Sequence, residues 1–229
     1  MQEKRKYVTI GKICFILMTT SLVAKALEYV TPLISEKCKN HHFHNIHHTL
    51  SVFDRATYLA MNEDISQEDT EDLQIAALFH DTGFIKQYAK NEYVGSQIAR
   101  KWLQENHHPE NRIQKIERII MATVLFSKPK NILEEIIQDS DLDNIGTKWA
   151  FKNSELLYHE IREIGNVVVT DCAFWQFTYR LYTTFRFNTK TARAERSHQK
   201  ELNQQLIESY LKMLECEVPH NTDLVEKVV

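Results

Sequence analysis

Apolar residues recur every three or four positions along almost the whole 229-residue chain. This spacing places them on one face of an α-helix. Residues 167–169 alone have a strand-like pattern, and they are too few to build a sheet. The pattern predicts an all-α fold, a single bundle of about nine helices. The expected helices span roughly residues 8–30, 46–62, 67–80, 91–105, 110–125, 131–145, 148–164, 170–186 and 189–215.

Residues that begin or end helices agree with these boundaries. Ser66 is a candidate N-cap with acidic residues after it, and Pro109 and Pro129 each precede a periodic run. Gly146 and Gly165 follow such runs. The chain holds only 5 glycines and 4 prolines, few for the turns of a multi-stranded sheet.

The charge balance argues against a nucleic-acid polymer as partner. The 28 basic and 31 acidic residues are interspersed and give a net charge of -3. A protein that binds a phosphate backbone usually presents a basic field.

The cysteines and the N-terminus indicate the compartment. No CxxC pair occurs among the four cysteines, which argues against a zinc knuckle or a small disulfide scaffold and favours a reducing cytoplasm. Residues 4–18 faintly resemble an export signal, with three basic residues before an apolar run. Because Lys12 and Lys25 flank that run, it is shorter than the ~20 residues of a membrane span. A buried first helix and no membrane contact are expected.

Five histidines lie within residues 40–49, and helical periodicity separates two of them. Steps of one turn from His48 reach the apolar residues Val52, Ala56 and Leu59, whereas steps from His47 reach mainly polar ones. His48 is therefore expected to face the core and His47 the solvent. His44 lies one turn before His48 and shares its face if the helix extends that far.

A second candidate element is the apolar run from residue 73, which ends in His80 and Asp81 just before Gly83. Both side chains continue apolar faces of the predicted helix, so both are expected to be shielded from solvent. A buried carboxylate needs a cation or a hydrogen-bond donor. A metal ion that also binds His48 would meet this need.

The third element carries three acidic residues near its end. Asp141 continues a ladder of one residue per turn formed by Leu133, Ile137 and Ile145. Asp141 is therefore expected to be buried, with a raised pKa when no metal is bound, and Asp143 to be solvated. Asp139 is expected either to orient a ligand or to replace one. Two imidazoles and two carboxylates suit one divalent ion such as Mn, Mg, Co, Ni, Fe or Zn.

The order of these residues resembles the H...HD...D signature of the HD superfamily of metal-dependent phosphohydrolases. The string FHNIHHTLSV (residues 43–52) is similar to the YHNxxHTxxV pattern shared with cyclic-nucleotide phosphodiesterases. ALFHDTGF (77–84), DSDL (139–142) and FNTKTAR (187–193) resemble segments of a bacterial subgroup. The likeness implies an HD domain over residues 40–205, preceded by a packed N-terminal helix within 1–39 and followed by a helix end and frayed tail over 206–229.

The resemblance also implies an activity. The expected enzyme is a phosphomonoesterase or phosphodiesterase acting on a nucleotide or a related small phosphorylated metabolite, and it is a possible homodimer. Its metal ligands would be His48, His80, Asp81 and Asp141. Asp81 would orient or deprotonate the attacking water, and His44 would protonate the leaving oxygen.

The C-terminal segment supplies candidate substrate contacts and one of two departures from the family pattern. Arg193, Arg196 and Lys200 are candidate phosphate ligands. Asn188 stands where the subgroup has a histidine, and residues 91–92 are Asn-Glu where relatives with a second metal have a further histidine. This second departure favours one metal ion. Two alternatives stay open: a catalytically silent nucleotide-binding regulatory module, and a diiron oxygenase of the HD fold.

Overall fold

The structure is a computed structural model that describes residues 21–219. Within this range the chain forms nine α-helices, two short 3-10 turns and no strand. The helices are α1 (Ser21–Lys37), α2 (Ile46–Asn62), α3 (Gln67–Phe79), α4 (Asn91–Glu105), α5 (Glu110–Met121), α6 (Ile132–Asp141), α7 (Ala150–Glu163), α8 (Asp171–Thr184) and α9 (Lys190–Met213). The 3-10 turns span Thr82–Ile85 and Asp143–Gly146.

The predicted all-α class is confirmed, and three helix boundaries are corrected. Helix α5 ends at Met121 instead of near residue 125. Helix α1 continues to Lys37 instead of ending near residue 30, with Pro32 in its interior. The start of this predicted helix and the export-like segment lie outside the described residues. Helix α6 ends at Asp141, and a 3-10 turn takes the place of its predicted last residues.

Helix α3 lies at the centre of the bundle and packs against α1, α2 and α5. Every residue from 72 to 79 on it is buried. A helix that is buried on all sides has apolar residues all round, as the stretch LQIAALF does except at Gln74. Because α3 ends inside the bundle, the residues that follow it are delivered to the interior.

The last two helices are joined covalently. Cys172, in the first turn of α8, forms a disulfide with Cys216, which follows α9. The spacing of the cysteines did not predict this pair, because the fold brings together two residues that are 44 positions apart. Cys38 is a buried free thiol. None of the helices within residues 21–219 is both long and apolar enough to cross a membrane.

Candidate metal centre

The start of α2 fixes the direction of its histidines. The Asn45 side chain accepts a hydrogen bond from the His47 amide and caps the helix. His47 is exposed, whereas the His48 side chain is only 8% exposed and points into the bundle. The helical phase predicted from periodicity is therefore confirmed. His44 lies before α2 and not on it, but its ring centroid is still 5.8 Å from that of His48.

His80 and Asp81 follow the last residue of α3 directly, and both are buried. The His80 Nδ1 atom lies 2.7 Å from the carbonyl oxygen of Ala77. A carbonyl can only accept a hydrogen bond, so Nδ1 carries a proton and the Nε2 atom of neutral His80 presents a lone pair. This lone pair faces the centre of a four-residue cluster.

The four side chains predicted as ligands lie together, although they come from three separate helix ends. His48 Nε2 lies 3.1 Å from Asp141 Oδ1 and 3.4 Å from Asp81 Oδ2. His80 Nε2 lies 3.1 Å from Asp81 Oδ2 and 3.6 Å from Asp141 Oδ1. His48, His80 and Asp141 each offer one ligand atom, and these three atoms lie within 4.8 Å of one another. We call these four residues the metal cluster.

The electrostatics of the metal cluster are those of two carboxylates that attract positive charge. Burial alone would lower the pKa of His80, but Asp81 and Asp141 raise it well above its usual range. Burial would likewise raise the pKa of Asp141, but the nearby imidazoles of His48 and His80 lower it. The expected rise in the Asp141 pKa is therefore wrong. The apolar neighbours of Asp141 on its ladder affect its pKa less than the two imidazoles beside it.

Two buried atoms of the metal cluster fit a bound cation. His80 Nε2 and Asp81 Oδ2 are buried and have no hydrogen-bond partner of good geometry, although they lie 3.1 Å apart. A lone pair and a carboxylate oxygen repel each other unless a proton or a metal ion lies between them. Two imidazoles and two carboxylates are ligands that divalent first-row ions prefer. The residues present therefore fit one such ion.

A close helix contact holds Asp81 in place. A Cβ atom added to Gly83 would lie 1.8 Å from the carbonyl oxygen of Asn91, at the start of α4. Only glycine allows this approach of the two backbones. As a result, the Asn91 side chain reaches Asp81, with Nδ2 3.4 Å from Oδ1.

Glu160 on α7 holds His44 and was not predicted. Its Oε2 atom accepts the amides of Phe43 and His44 at 2.7 and 2.9 Å, and its Oε1 atom lies 2.5 Å from His44 Nδ1. Burial would lower the pKa of His44, but Glu160, Asp81 and Asp141 raise it. In return, these contacts lower the pKa of Glu160 to about 2, against the effect of burial. The favoured state of the pair is therefore a protonated imidazole on His44 and an ionised carboxylate on Glu160.

One feature of the sequence indicated that Glu160 would be buried. It lies three residues after Leu157 and four before Ile164, on an apolar stripe of α7. That is the kind of position that singled out Asp141. Its partner is 116 residues away, so the pattern alone could not have assigned it to the site.

Two acidic residues near Asp141 differ from expectation. Asp139 accepts hydrogen bonds from the backbone amides of Asn188 and Thr189 at 2.8 and 2.7 Å, and none from the metal cluster. It fixes the segment before α9 and does not orient a ligand. Asp143 is not solvated but forms ion pairs with Arg55 and Arg196.

The three predicted phosphate ligands lie away from the metal cluster. Arg196 Nε and Nη2 bind Asp143 at 2.8 and 3.1 Å, which anchors α9 to the turn after α6. Lys200 is buried and donates a hydrogen bond to the carbonyl of Tyr182. Arg193 is exposed. None of the three lines any of the cavities described next.

Three cavities meet at Asp141. The first, here called the apolar cavity, has a volume of about 290 Å³ and contains His44, Asp81 and Asp141 in its wall. A second cavity of about 350 Å³ lies on the side of residues 122–129 and is called the rim cavity. A third of about 160 Å³ borders His48 and is called the polar cavity. A bound ligand could therefore reach the metal cluster from more than one side.

The comparisons with known proteins agree with this geometry. The HD domain family model matches residues 45–143, a segment that contains all four residues of the metal cluster. No curated protein sequence matches the chain.

Several solved structures share the fold. A predicted HD superfamily hydrolase from an uncultured Thermotogales bacterium is 18% identical, with a TM-score of 0.59 over 89% of this chain and 99% of that chain. YpgQ of Bacillus subtilis in complex with ADP is 18% identical, with a TM-score of 0.58 over 83% and 94%. A Lactobacillus plantarum protein is 15% identical, with a TM-score of 0.63 over 86% and 99%. Residues 45–143 thus match the HD domain family model, and the chain shares its fold with these solved structures.

Proposed function

We propose that the protein is a metal-dependent phosphohydrolase that holds one divalent ion with His48, His80, Asp81 and Asp141. One observation carries this proposal: the His80 Nε2 atom, which has no hydrogen-bond partner of good geometry, faces the buried carboxylate of Asp81 and the partly exposed carboxylate of Asp141. These groups are costly to hold so close without a cation between them, and a divalent ion would take the place of the proton that His80 holds in the metal-free protein. The HD domain match gives independent support, since metal-dependent phosphohydrolysis is the activity that the family signature implies.

The reaction would divide its work among few residues. A divalent ion bound there lowers the pKa of a coordinated water and neutralises charge on a phosphoryl group. Asp81, held by Asn91, orients that water or accepts its proton. His44, kept protonated by Glu160, lines the same cavity as Asp81 and Asp141 and donates a proton to the leaving oxygen.

The substrate belongs to the nucleotides or related small phosphorylated metabolites. The structurally similar YpgQ binds ADP in its crystal, which supports a nucleotide-sized ligand for this fold. A cavity of about 290 Å³ beside the metal cluster accepts a ligand of that kind and not a polymer. Whether the bond cleaved is that of a monoester or a diester is decided by the substrate screen.

The test of this function combines metal analysis with that screen. Purified protein is assayed with Mn, Mg, Co and Ni in turn against nucleoside mono-, di- and triphosphates, cyclic nucleotides and model phosphodiesters. We expect about one metal ion per chain, and Asp81→Ala should abolish both metal binding and activity. Bound metal without turnover of any ester would favour the regulatory module. Two iron ions per chain with oxygen uptake would favour the oxygenase.

Neighbouring histidines provide a matched control for the ligand assignment. His48→Ala should remove most of the bound metal, because the His48 Nε2 atom faces both carboxylates. His47→Ala should leave metal occupancy nearly unchanged, because His47 is exposed to solvent. Equal losses of metal in the two variants, measured by elemental analysis, would contradict the assignment.

A further inference from the structure

The wall of the apolar cavity is built for an uncharged ligand group. Helices α7 and α8 supply Leu157, Ile161, Phe174, Phe177 and Leu181 to it. Across the part of the chain that the structure describes, no lysine or arginine lines this cavity. The wall therefore offers a large apolar surface and, apart from the protonated His44 beside the metal cluster, no cation for a second phosphate.

Several polar residues of this cavity belong to the metal cluster or line the polar cavity beside it. Asp81 and Asp141 line it, and Asn144 and Asn153 line both it and the polar cavity next to His48. Helix α8, in contrast, contributes mainly apolar side chains and none of the metal ligands. A ligand that fits both parts has a charged group for the metal cluster and an apolar body for α8.

The apolar wall favours an aromatic ring over a phosphate or a sugar phosphate as the organic part of the ligand. A phosphate or sugar phosphate moved into an apolar wall without a cation loses its hydration and gains no partner. An aromatic ring gains free energy from burial and can pack edge-to-face against phenylalanine rings. The buried hydroxyl of Tyr182 also lines this cavity and has no hydrogen-bond partner of good geometry. A heteroaromatic ring could satisfy it.

On the basis of the proposed hydrolase function, we propose that the substrate is a phosphate ester of a group that carries an uncharged aromatic ring. The ring occupies the apolar cavity, and the phosphate lies at the metal cluster. A volume of about 290 Å³ is at the lower end of small-molecule sites, so the cavity accommodates one ring system. Both a nucleobase and a simple aryl group have this chemistry.

Binding of uncleavable analogues tests the ring preference without relying on turnover. The full chain with Mn²⁺ is titrated calorimetrically with 3-phenylpropylphosphonate and with propylphosphonate, which differ only in the ring. We expect the phenyl compound to bind at least about tenfold more tightly. Equal dissociation constants would overturn the inference.

Variants locate the ring. Phe177→Ala should reduce the preference for the phenyl compound to less than about threefold, and Leu157→Ala serves as a second variant in the same wall. Phe185→Ala is the matched control, because Phe185 lines the rim cavity and not the apolar cavity. Loss of the preference in Phe185→Ala but not in Phe177→Ala would place the ring elsewhere and overturn the inference.

Comparing the turnover of two substrates distinguishes a nucleobase from a simple aryl group. It also distinguishes failure of the ring inference from failure of the hydrolase proposal. AMP and ribose 5-phosphate differ only in the base, so a higher kcat/KM for AMP supports a nucleobase in the cavity. If the phenylphosphonate is preferred and AMP is not, the group is a simple aryl one. Hydrolysis without any ring preference would refute the inference and leave the hydrolase proposal intact. Ring preference without hydrolysis of any ester would support the ligand and refute the hydrolase.

Discussion

Glu160 is a fully buried carboxylate that accepts hydrogen bonds from residues 43–44 and from Tyr88. It accepts two backbone amides and contacts the His44 ring, and the Tyr88 hydroxyl donates to it at 3.2 Å. A buried carboxylate with this many donors stays ionised and fixes the groups around it. It therefore both positions His44 and sets its protonation state, which makes it a positioning residue for proton transfer.

Glu160→Gln should lower kcat by about 10- to 100-fold, because the amide favours the neutral imidazole of His44. The pKa of His44 is raised in the folded protein, so its acid form is present below that pKa and is lost as the pH rises through it. In the variant this loss should occur at lower pH. The measurement is the pH profile of kcat.

A good leaving group supplies the control for this variant. Nitrophenolate departs without protonation, so the variant should lose less activity on 4-nitrophenyl phosphate than on an alkyl phosphate. Equal losses for the two esters would mean that Glu160 has only a structural role.

Asp143→Asn should destabilise the fold by about 1–2 kcal/mol and leave metal occupancy unchanged. The Asp143 carboxylate is 16% exposed and pairs with Arg55 at 2.6 Å and Arg196 at 2.8 Å, so the substitution removes the anionic partner of Arg196 and one of two anionic partners of Arg55, which keeps Glu195. Urea unfolding measures the effect. Asp64→Asn, at an exposed turn residue, is the matched control. A stability change no larger than that of the control would show that these ion pairs contribute little.

At the scale of helices, periodicity predicted what depends on neighbours three or four residues apart. The bounds of α2 and α4 and the inward direction of His48 follow from such local patterns. Periodicity failed where distant contacts decide. Asp143 was expected to be solvated because nothing nearby in the sequence pairs with it, but α2 and α9 bring arginines to it.

The early end of α6 has the same kind of cause. The apolar ladder through Asp141 continues to residue 145, which predicted a longer helix. In the structure the chain tightens into a 3-10 turn that packs against α9. The four metal-cluster residues could be found from burial and family resemblance, whereas the Glu160 partnership and the arginine positions required the fold.

Gly83→Ala tests how α4 docks onto the residues that follow α3. The new Cβ atom would lie 1.8 Å from the Asn91 carbonyl oxygen, so one of the two backbones must move. We expect a loss of at least about 2 kcal/mol in the free energy of unfolding, and weaker metal binding as Asn91 moves away from Asp81. Asn91→Ala is the companion variant, since it removes the contact with Asp81 and keeps the backbone. Wild-type stability in Gly83→Ala would contradict the contact.

At the scale of the whole molecule, the metal cluster and the apolar wall belong to different sets of helices. The cluster is formed at the ends of α2, α3 and α6, whereas α7 and α8 form much of the apolar wall. The metal and the organic group of the substrate are thus held by separate parts of one bundle. Perturbing α8 should therefore affect ligand binding more than metal binding.

The Cys172–Cys216 disulfide allows this separation to be tested, because it ties the start of α8 to the segment after α9. Reduction restores freedom to a loop of 44 residues in the unfolded chain and should lower the free energy of unfolding by about 2–4 kcal/mol. Metal occupancy should not change, whereas the preference for the phenylphosphonate should weaken as the start of α8 loosens. Urea unfolding, elemental analysis and calorimetry with and without dithiothreitol measure these effects. The Cys172→Ser, Cys216→Ser double variant is the control, since the reductant should leave it unaffected. Loss of metal on reduction of the wild-type chain, without loss of overall fold, would show that the two parts of the site are coupled.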